Sequence, residues 1–331
     1  MRILVTGSAG HLGEALMRTL EGSEHEAIGL DVLPSDFTDV VGSIAERAVV
    51  RACMAGVDAV LHAATLHKPH VATHARQEFV DVNVTGTLNL LELAAAAGVK
   101  AFVFTSTTST FGRALVPPPG EPAAWITEDV VPVPKNIYGA TKVAAEDLCQ
   151  LVQRDSGMPC LVLRTSRFFP EGDDDDHARV AYDGDNLKVS EFLYRRVDIE
   201  DVVDAHLLAI ERAPQIGFGR YIISATTPFT PDDLPELRRD AAAVVRRRVP
   251  AFDAEYARRG WTMVPTIDRV YVNERARREF GWRPRHDFAA VIARLRDSAD
   301  FRSPLARVIG SKGYHRQAPP PLTSAARAPK P

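Results

Sequence analysis

The sequence predicts an α/β protein: a doubly wound parallel sheet followed by a smaller α/β lobe. Three observations point there. Short, wholly apolar runs suited to strands buried on both faces alternate with amphipathic helical stretches. The first of these runs breaks on a glycine-rich turn into a helix, and from Phe169 the alternation gives way to shorter, more polar elements.

The opening run, Met1-Arg-Ile-Leu-Val-Thr-Gly-Ser-Ala-Gly-His-Leu-Gly13, reads as strand, turn and helix, with Leu12, Ala15, Leu16 and Leu20 on one helix face. Gly7, Gly10 and Gly13 let the backbone turn sharply, approach a diphosphate and pack helix against strand. The helix N-terminus, with His11 and Leu12 in its first turn, offers free N–H groups to the anion. A second strand, Ala27-Ile-Gly-Leu30, follows at βαβ distance and ends in Asp31, whose carboxylate suits the ribose hydroxyls of a dinucleotide. This is the pattern of a Rossmann-type site. Val32, Leu33 and Pro34 supply no arginine for a 2′-phosphate, so NAD is expected over NADP.

Val57-Asp-Ala-Val-Leu-His62 is a further strand, and small Ala63 and Ala64 let a cofactor lie close to its end. In the next loop His70 and His74 stand at i, i+4 without a third ligand at metal spacing, which reads as a polar loop and no metal. Asp81 to Ala97 is expected as one helix with a stripe through Val84, Leu88, Leu91 and Ala95, ended by Gly98. Ala101 to Ser106 is another buried strand, running into six consecutive hydroxyl residues, Thr105 to Thr110. They fall where ligands sit in parallel α/β sheets. After a proline-rich flap (Pro117 to Pro134), Tyr138-Gly-Ala-Thr-Lys142 opens a helix continuing through Ala145, Leu148 and Val152. Tyr138 and Lys142 share a face. There the ammonium can lower the phenol pKa and hold the nicotinamide ribose, while the phenolate takes a proton from a substrate hydroxyl as hydride leaves.

Composition sets the class. The chain has 331 residues and a net charge of -3, which gives no electrostatic footprint for nucleic acid or an anionic membrane. Without a signal pattern or a membrane-length apolar run, a cytoplasmic protein is expected. Cys53, Cys149 and Cys160 fit reduced structural thiols. The acidic run Glu171 to His177 reads as a solvated loop. The expected division is a dinucleotide-binding domain over 1–168, with 197–228 returning to it; a substrate lobe over 169–196 and 229–300; and an extended or disordered Pro/Ala-rich tail over 301–331.

Taken together, several segments resemble the extended short-chain dehydrogenases/reductases of the NAD-dependent epimerase/dehydratase family, in particular nucleotide-sugar 4-epimerases. They are Thr6 to Gly13, Asp31, Asp58 to Ala64, Asp81-Val-Asn83 with Thr85 to Leu91, Phe104 to Thr107 with Phe111-Gly112, Tyr138 to Lys142, Leu163-Arg164, Val197 to Ala205 and Arg275 to Pro284. The resemblance implies Tyr138 as acid/base, Lys142 as its activator and cofactor ligand, and Thr107 as the hydroxyl that steadies the substrate oxygen. It assigns Gly7, Gly10 and Gly13 to the pyrophosphate, Asp31 to the adenosine ribose and Asn83 to the active-site backbone. It also implies a homodimer through the helices carrying Leu88 and Leu148.

Three departures stand out. The family's adenine-side aspartate is replaced by Val41-Gly42-Ser43, its Tyr-Phe-Asn after Leu163-Arg164 by Thr165-Ser-Arg167, and its arginine-bearing segment is only approximated by Tyr194-Arg-Arg196. Where the family's dehydratases carry aspartate and glutamate after the catalytic threonine, this chain has Thr108 and Ser109. Thr108, Ser109, Arg167 and Arg196 are expected to face substrate. The function implied is NAD-dependent hydride transfer on a sugar or nucleotide sugar, with epimerisation favoured. The alternatives are a dehydrogenase or reductase of an anionic sugar or another small hydroxy or carbonyl compound and, more remotely, an NAD-sensing regulator without catalysis.

Overall fold

In the computed structural model, which describes residues 1–172, 180–298 and 300–313, the apolar runs form one seven-stranded parallel sheet. Its strands are β1 (Arg2–Thr6), β2 (Glu26–Asp31), β3 (Val40–Val41), β4 (Ala59–His62), β5 (Ala101–Thr107), β7 (Cys160–Thr165) and β8 (Phe218–Ile223), in the order β3-β2-β1-β4-β5-β7-β8. The chain winds from β1 out to β3, then resumes at β4 on the other side of β1. That reversal opens a crevice at the carboxyl ends of β1 and β4, where open α/β sheets bind ligands.

Alternation along β1 decides which layer each residue joins. Ile3 and Val5 face a core shared with α1 (His11–Glu21) and α7 (Ile199–Ile216). Leu4 faces the opposite core, made with α2 (Arg47–Cys53), α4 (Gly86–Ala96) and α5 (Ile137–Ser156). A third core, built on α6 (Gly184–Glu191), α9 (Ala241–Arg248), α10 (Phe252–Arg259) and α12 (Phe288–Asp297), belongs to the smaller lobe. There β6 (Ala124–Ile126) pairs in parallel with β9 (Arg269–Tyr271), so the flap segment is stitched to the lobe.

Two elements differ from the sequence expectation. The helix expected over 81–97 begins as a π turn, Val80–Thr85, before α4. Thr87 Oγ1 donates to the Asn83 carbonyl at 2.7 Å, and the extra residue of the turn rotates the face that follows. Asn83, Thr87, Leu90, Leu91 and Ala94 are buried, whereas Val84, Leu88 and Ala95 are half-buried. At the C-terminus, residues 301–313 are not a loose tail. Ser303 caps α13 (Pro304–Ile309), its Oγ accepting the Ala306 N–H at 3.1 Å and donating to Asp198 at 2.6 Å. Ile309 then joins the core beneath α1 and α7. The rest of the expected tail, 314–331, lies outside the described residues, as does most of the acidic run after Gly172.

Candidate active site

A cleft of about 930 Å³ runs along the carboxyl ends of the central strands. Gly7, Gly10, His11, Leu12, Gly13, Asp31, Ala63 and Ala64 line it at one end, and Thr107, Thr108, Ser109 and Tyr138 line it at the other. The glycines are required sterically. Gly7 sits at φ +77°, and a Cβ there would lie 2.7 Å from the Ala64 nitrogen; one on Gly13 would lie 1.8 Å from the Gly7 carbonyl oxygen. Only hydrogen fits between turn, helix and β4, and the resulting cradle of bare backbone at the start of α1 fits a dinucleotide diphosphate. Asp31 accepts the Ala9 N–H at 3.0 Å and the Leu33 N–H at 2.9 Å. Burial raises its pKa while these donors oppose the rise.

The chemistry at the other end depends on how α5 starts. The Asn136 side chain caps it by accepting the Gly139 N–H at 3.1 Å, which aims Tyr138 and Lys142 at the end of β5. Tyr138 and Thr107 face each other across the cleft end; burial pushes the phenol up to about 12, and the Thr107 hydroxyl beside it opposes the rise. Thr107 Oγ1 is itself set by accepting the Ser109 N–H at 3.1 Å.

Lys142 is held by β5. Its Nζ donates to the Thr105 carbonyl at 2.7 Å and stands 3.9 Å over the Phe104 ring. Burial lowers it to about 7, with Glu146 pushing back up. A desolvated ammonium takes the nearest carbonyl and ring face, which here belong to β5.

Behind these groups lies a buried polar layer that the sequence reading did not single out. Thr105 Oγ1 lies 2.8 Å from His206 Nε2, and His206 Nδ1 lies 2.7 Å from the Val202 carbonyl. A carbonyl only accepts, so Nδ1 carries the proton and Nε2 accepts from Thr105. Burial lowers His206 to about 4, which keeps it neutral. Glu146 receives Ser106 Oγ at 2.5 Å and the Arg164 guanidinium at 2.7–3.1 Å. On the other side His62 bridges Thr6 at 2.8 Å and Thr87 at 2.9 Å. Asn83, expected among the cofactor-binding residues, stands behind the cleft wall: its amide donates to the Leu66 carbonyl at 2.9 Å and to Thr141 at 3.1 Å, and its carbonyl accepts the Leu66 N–H at 2.8 Å.

The expected substrate arginines separate. Arg167 lines the cleft, but its Nη2 donates to the Glu171 and Gly172 carbonyls at 3.1 and 2.5 Å. Arg196 does not reach the cleft. It is buried, with Nε on Glu191 at 2.8 Å and Nη1 on the Phe169 carbonyl at 3.1 Å. Its neighbour Arg195 faces the cleft instead, together with Lys68, Lys135 and Arg269. Consecutive side chains point apart, and only the tertiary fold says which one turns inward. Arg246, Arg247 and Arg248 pair with Asp253, Glu236 and Asp233 and do not line the cleft. Asp198, Glu200 and His286 could in principle surround an ion. However, the Arg294 guanidinium donates to His286 Nδ1 at 2.6 Å, which leaves the proton on Nε2, the atom facing Glu200 at 3.6 Å.

Comparison with known proteins agrees with this geometry. Residues 3–223 match the NAD dependent epimerase/dehydratase family. The chain is 31% identical to a dTDP-glucose 4,6-dehydratase of Streptomyces antibioticus, covering 90% of this chain and 92% of that one. It is 26% identical to a UDP-glucose 4-epimerase of Lactobacillus helveticus, covering 87% and 93%. Among solved structures, an NAD-bound short-chain dehydrogenase/reductase superfamily protein from Agrobacterium tumefaciens superposes with a TM-score of 0.63 at 25% identity, covering 90% and 99%. The chain belongs to the NAD dependent epimerase/dehydratase family, and its cofactor is NAD.

Proposed function

We propose that the protein is an NAD-dependent epimerase of a nucleotide sugar. The observation that carries this reading is that Thr107 and Tyr138 line one end of the same cleft as the glycine cradle, with Lys142 buried behind them. The bound dinucleotide supplies the acceptor for hydride and, once reduced, its donor. Tyr138 Oη takes the proton of the substrate hydroxyl as its carbon is oxidised and returns it when the ketone, presented by its other face, is reduced. Thr107 Oγ1 holds that oxygen where charge develops. Lys142, held on the Thr105 carbonyl, would keep a positive charge behind the phenol and, if drawn forward, would meet the nicotinamide ribose. Gly7, Gly10 and Gly13 with the start of α1 hold the diphosphate, and Asp31 holds the adenosine ribose.

A nucleotide substrate is supported by the cationic lining of the substrate half. Lys68, Lys135, Arg195 and Arg269 line it, and although Arg195 pairs with Glu191 at 2.7 Å and Arg269 with Asp268 at 2.8 Å, these cations suit an anion better than a neutral sterol or alkyl ketone; a 3-beta-hydroxysteroid dehydrogenase of Mycolicibacterium neoaurum and a 2-alkyl-3-oxoalkanoate reductase of Stenotrophomonas maltophilia are also relatives. Thr108, Ser109 and Arg167 complete that wall. A homodimer is supported by the half-buried Leu88, Ala95 and Leu148 and the exposed Leu151 on neighbouring α4 and α5, while Leu91, Ala145 and Val152 of the same two helices pack into this chain's own core. A reducing cytoplasm suits the three buried, unbridged cysteines.

The test is a panel of UDP- and dTDP-hexoses followed by NMR for interconversion and at 340 nm for NADH. Interconversion without net NADH, lost in Tyr138→Phe, is the expected result. Stoichiometric NADH release would make the protein a dehydrogenase, and intact turnover by Tyr138→Phe would remove the phenol from the mechanism.

A further inference from the structure

The NAD end of the cleft has a wall that the glycine motif does not supply. After α13 the chain leaves the core at Gly310 and returns over the start of α1, where Lys312 and Gly313 line the cleft beside the glycine cradle. It is tied down at three points. Ser311 Oγ donates to Glu171 Oε1 at 2.9 Å, the Lys312 backbone N–H donates to the same oxygen at 3.0 Å, and Lys312 Nζ pairs with Glu14 of α1. His11 Nε2, in the first turn of α1, stands 3.1 Å from that same Oε1. One carboxylate on the segment between β7 and the smaller lobe therefore gathers the cofactor helix and the C-terminal segment.

From this we infer that Ser311–Gly313 is a strap forming part of the NAD site, and that Glu171 is its anchor. The inference rests on NAD occupying this cleft. Its physical content is a release pathway. The strap crosses the mouth where the diphosphate end would leave, so exit requires breaking two hydrogen bonds to an ionised carboxylate and one ion pair, contacts of the stronger kind. Its neighbours hold Glu171 well below the usual carboxylate range, at about 2, so the anchor stays charged at working pH. Without the strap, that charge would stand beside a diphosphate with fewer donors to offset it, which again favours release. An epimerase must keep the same dinucleotide through both halves of its cycle, and a strap fixed to the cofactor helix serves that need.

The experiment compares three chains purified alike: the full chain, a truncation after Gly313 and a truncation after Gly310. NAD dissociation is read by stopped-flow chase and by the NAD that copurifies. The truncation after Gly313 should release NAD at the rate of the full chain, and the truncation after Gly310 at least tenfold faster, while near-UV circular dichroism shows α13 and the core intact. Should that truncation misfold, Lys312→Glu, which sets like charges against Glu14 at full length, should give the same acceleration. Equal release rates from properly folded chains would overturn the strap. If the full chain fails to bind NAD at all, the NAD reading of the cleft falls and the strap with it.

Discussion

The phenol of Tyr138 cannot work as burial leaves it. At about 12 it is four to five units above the neutral range in which a general base is effective, and one unit corresponds to about 1.4 kcal/mol. Lowering it by roughly four units therefore takes about 5.5 kcal/mol of preferential stabilisation of the phenolate. A unit positive charge at about 6 Å contributes 332/(20 × 6), or about 2.8 kcal/mol, at an effective dielectric of ~20, which is about two units. Two such charges would close the gap: the Lys142 ammonium, held on the Thr105 carbonyl behind the phenol, and the oxidised nicotinamide ring that a bound cofactor would bring. The coupling is mutual, so a phenolate would also draw Lys142 back up from about 7. We therefore expect the Tyr138 phenolate, followed at 295 nm as the difference from Tyr138→Phe, to titrate about two units lower with NAD⁺ than with NADH. In Lys142→Met with NAD⁺, the midpoint should rise by about two units. Identical midpoints with the two redox forms would refute the electrostatic account, because the forms differ at the ring chiefly in that one charge.

Three further outcomes are expected. Glu146 is the buried carboxylate that pushes Lys142 up; removing its charge lowers Lys142 further, so the ammonium is lost at lower pH as pH rises. Glu146→Gln should accordingly move the alkaline limb of the pH–rate profile down by about one unit, and an unmoved limb would take Glu146 out of the account. The Asp31 carboxylate lining the cleft would repel a 2′-phosphate, and the exposed Val32 and Leu33 beside it offer no cation. NAD should bind about a hundredfold tighter than NADP by calorimetry, and comparable affinities would contradict the assignment. No 4-keto-6-deoxy sugar should form from any nucleotide hexose, despite the identity shared with a dehydratase. Thr108 and Ser109 stand where an acid and a base would be needed, and an unperturbed hydroxyl is too weak for either role near neutral pH. Mass loss of one water from the substrate would show otherwise.

What could be read from the sequence was local. The glycine spacing, Asp31 at the end of β2 and the Tyr138–Lys142 pair each sit within one strand–turn–helix or one helical turn, so residue order alone specifies their geometry. Arg195 and Arg196 show the limit of that reading: being neighbours in the chain says nothing about which one enters the cleft, and while the buried Glu191 pairs with both, only Arg196 is also held by the Phe169 carbonyl. Residues 301–309 differ from the expected tail for a different reason: the proline-rich composition begins only after Gln317, whereas Ser303-Pro304 is a helix-start signal, a capping hydroxyl followed by proline at the first helical position.

The layer that sets the chemistry was the least legible, because its bonds join residues far apart in sequence. Thr105 meets His206 across 101 positions and Ser106 meets Glu146 across 40. This layer also explains why the site is buried although burial alone makes both of its titrating groups poor reagents. Desolvation holds the phenol up and the ammonium down, and the same low dielectric strengthens every charge–charge term between them. In water a cation 6 Å away would shift the phenol by about half a unit; in the buried site it shifts it by about two. A resting site that is inert without its cofactor and responsive to the cofactor's charge follows from that single property. Fixed neighbours such as neutral His206, Thr105 and the Glu146–Arg164 pair are what allow an ammonium to remain there at all.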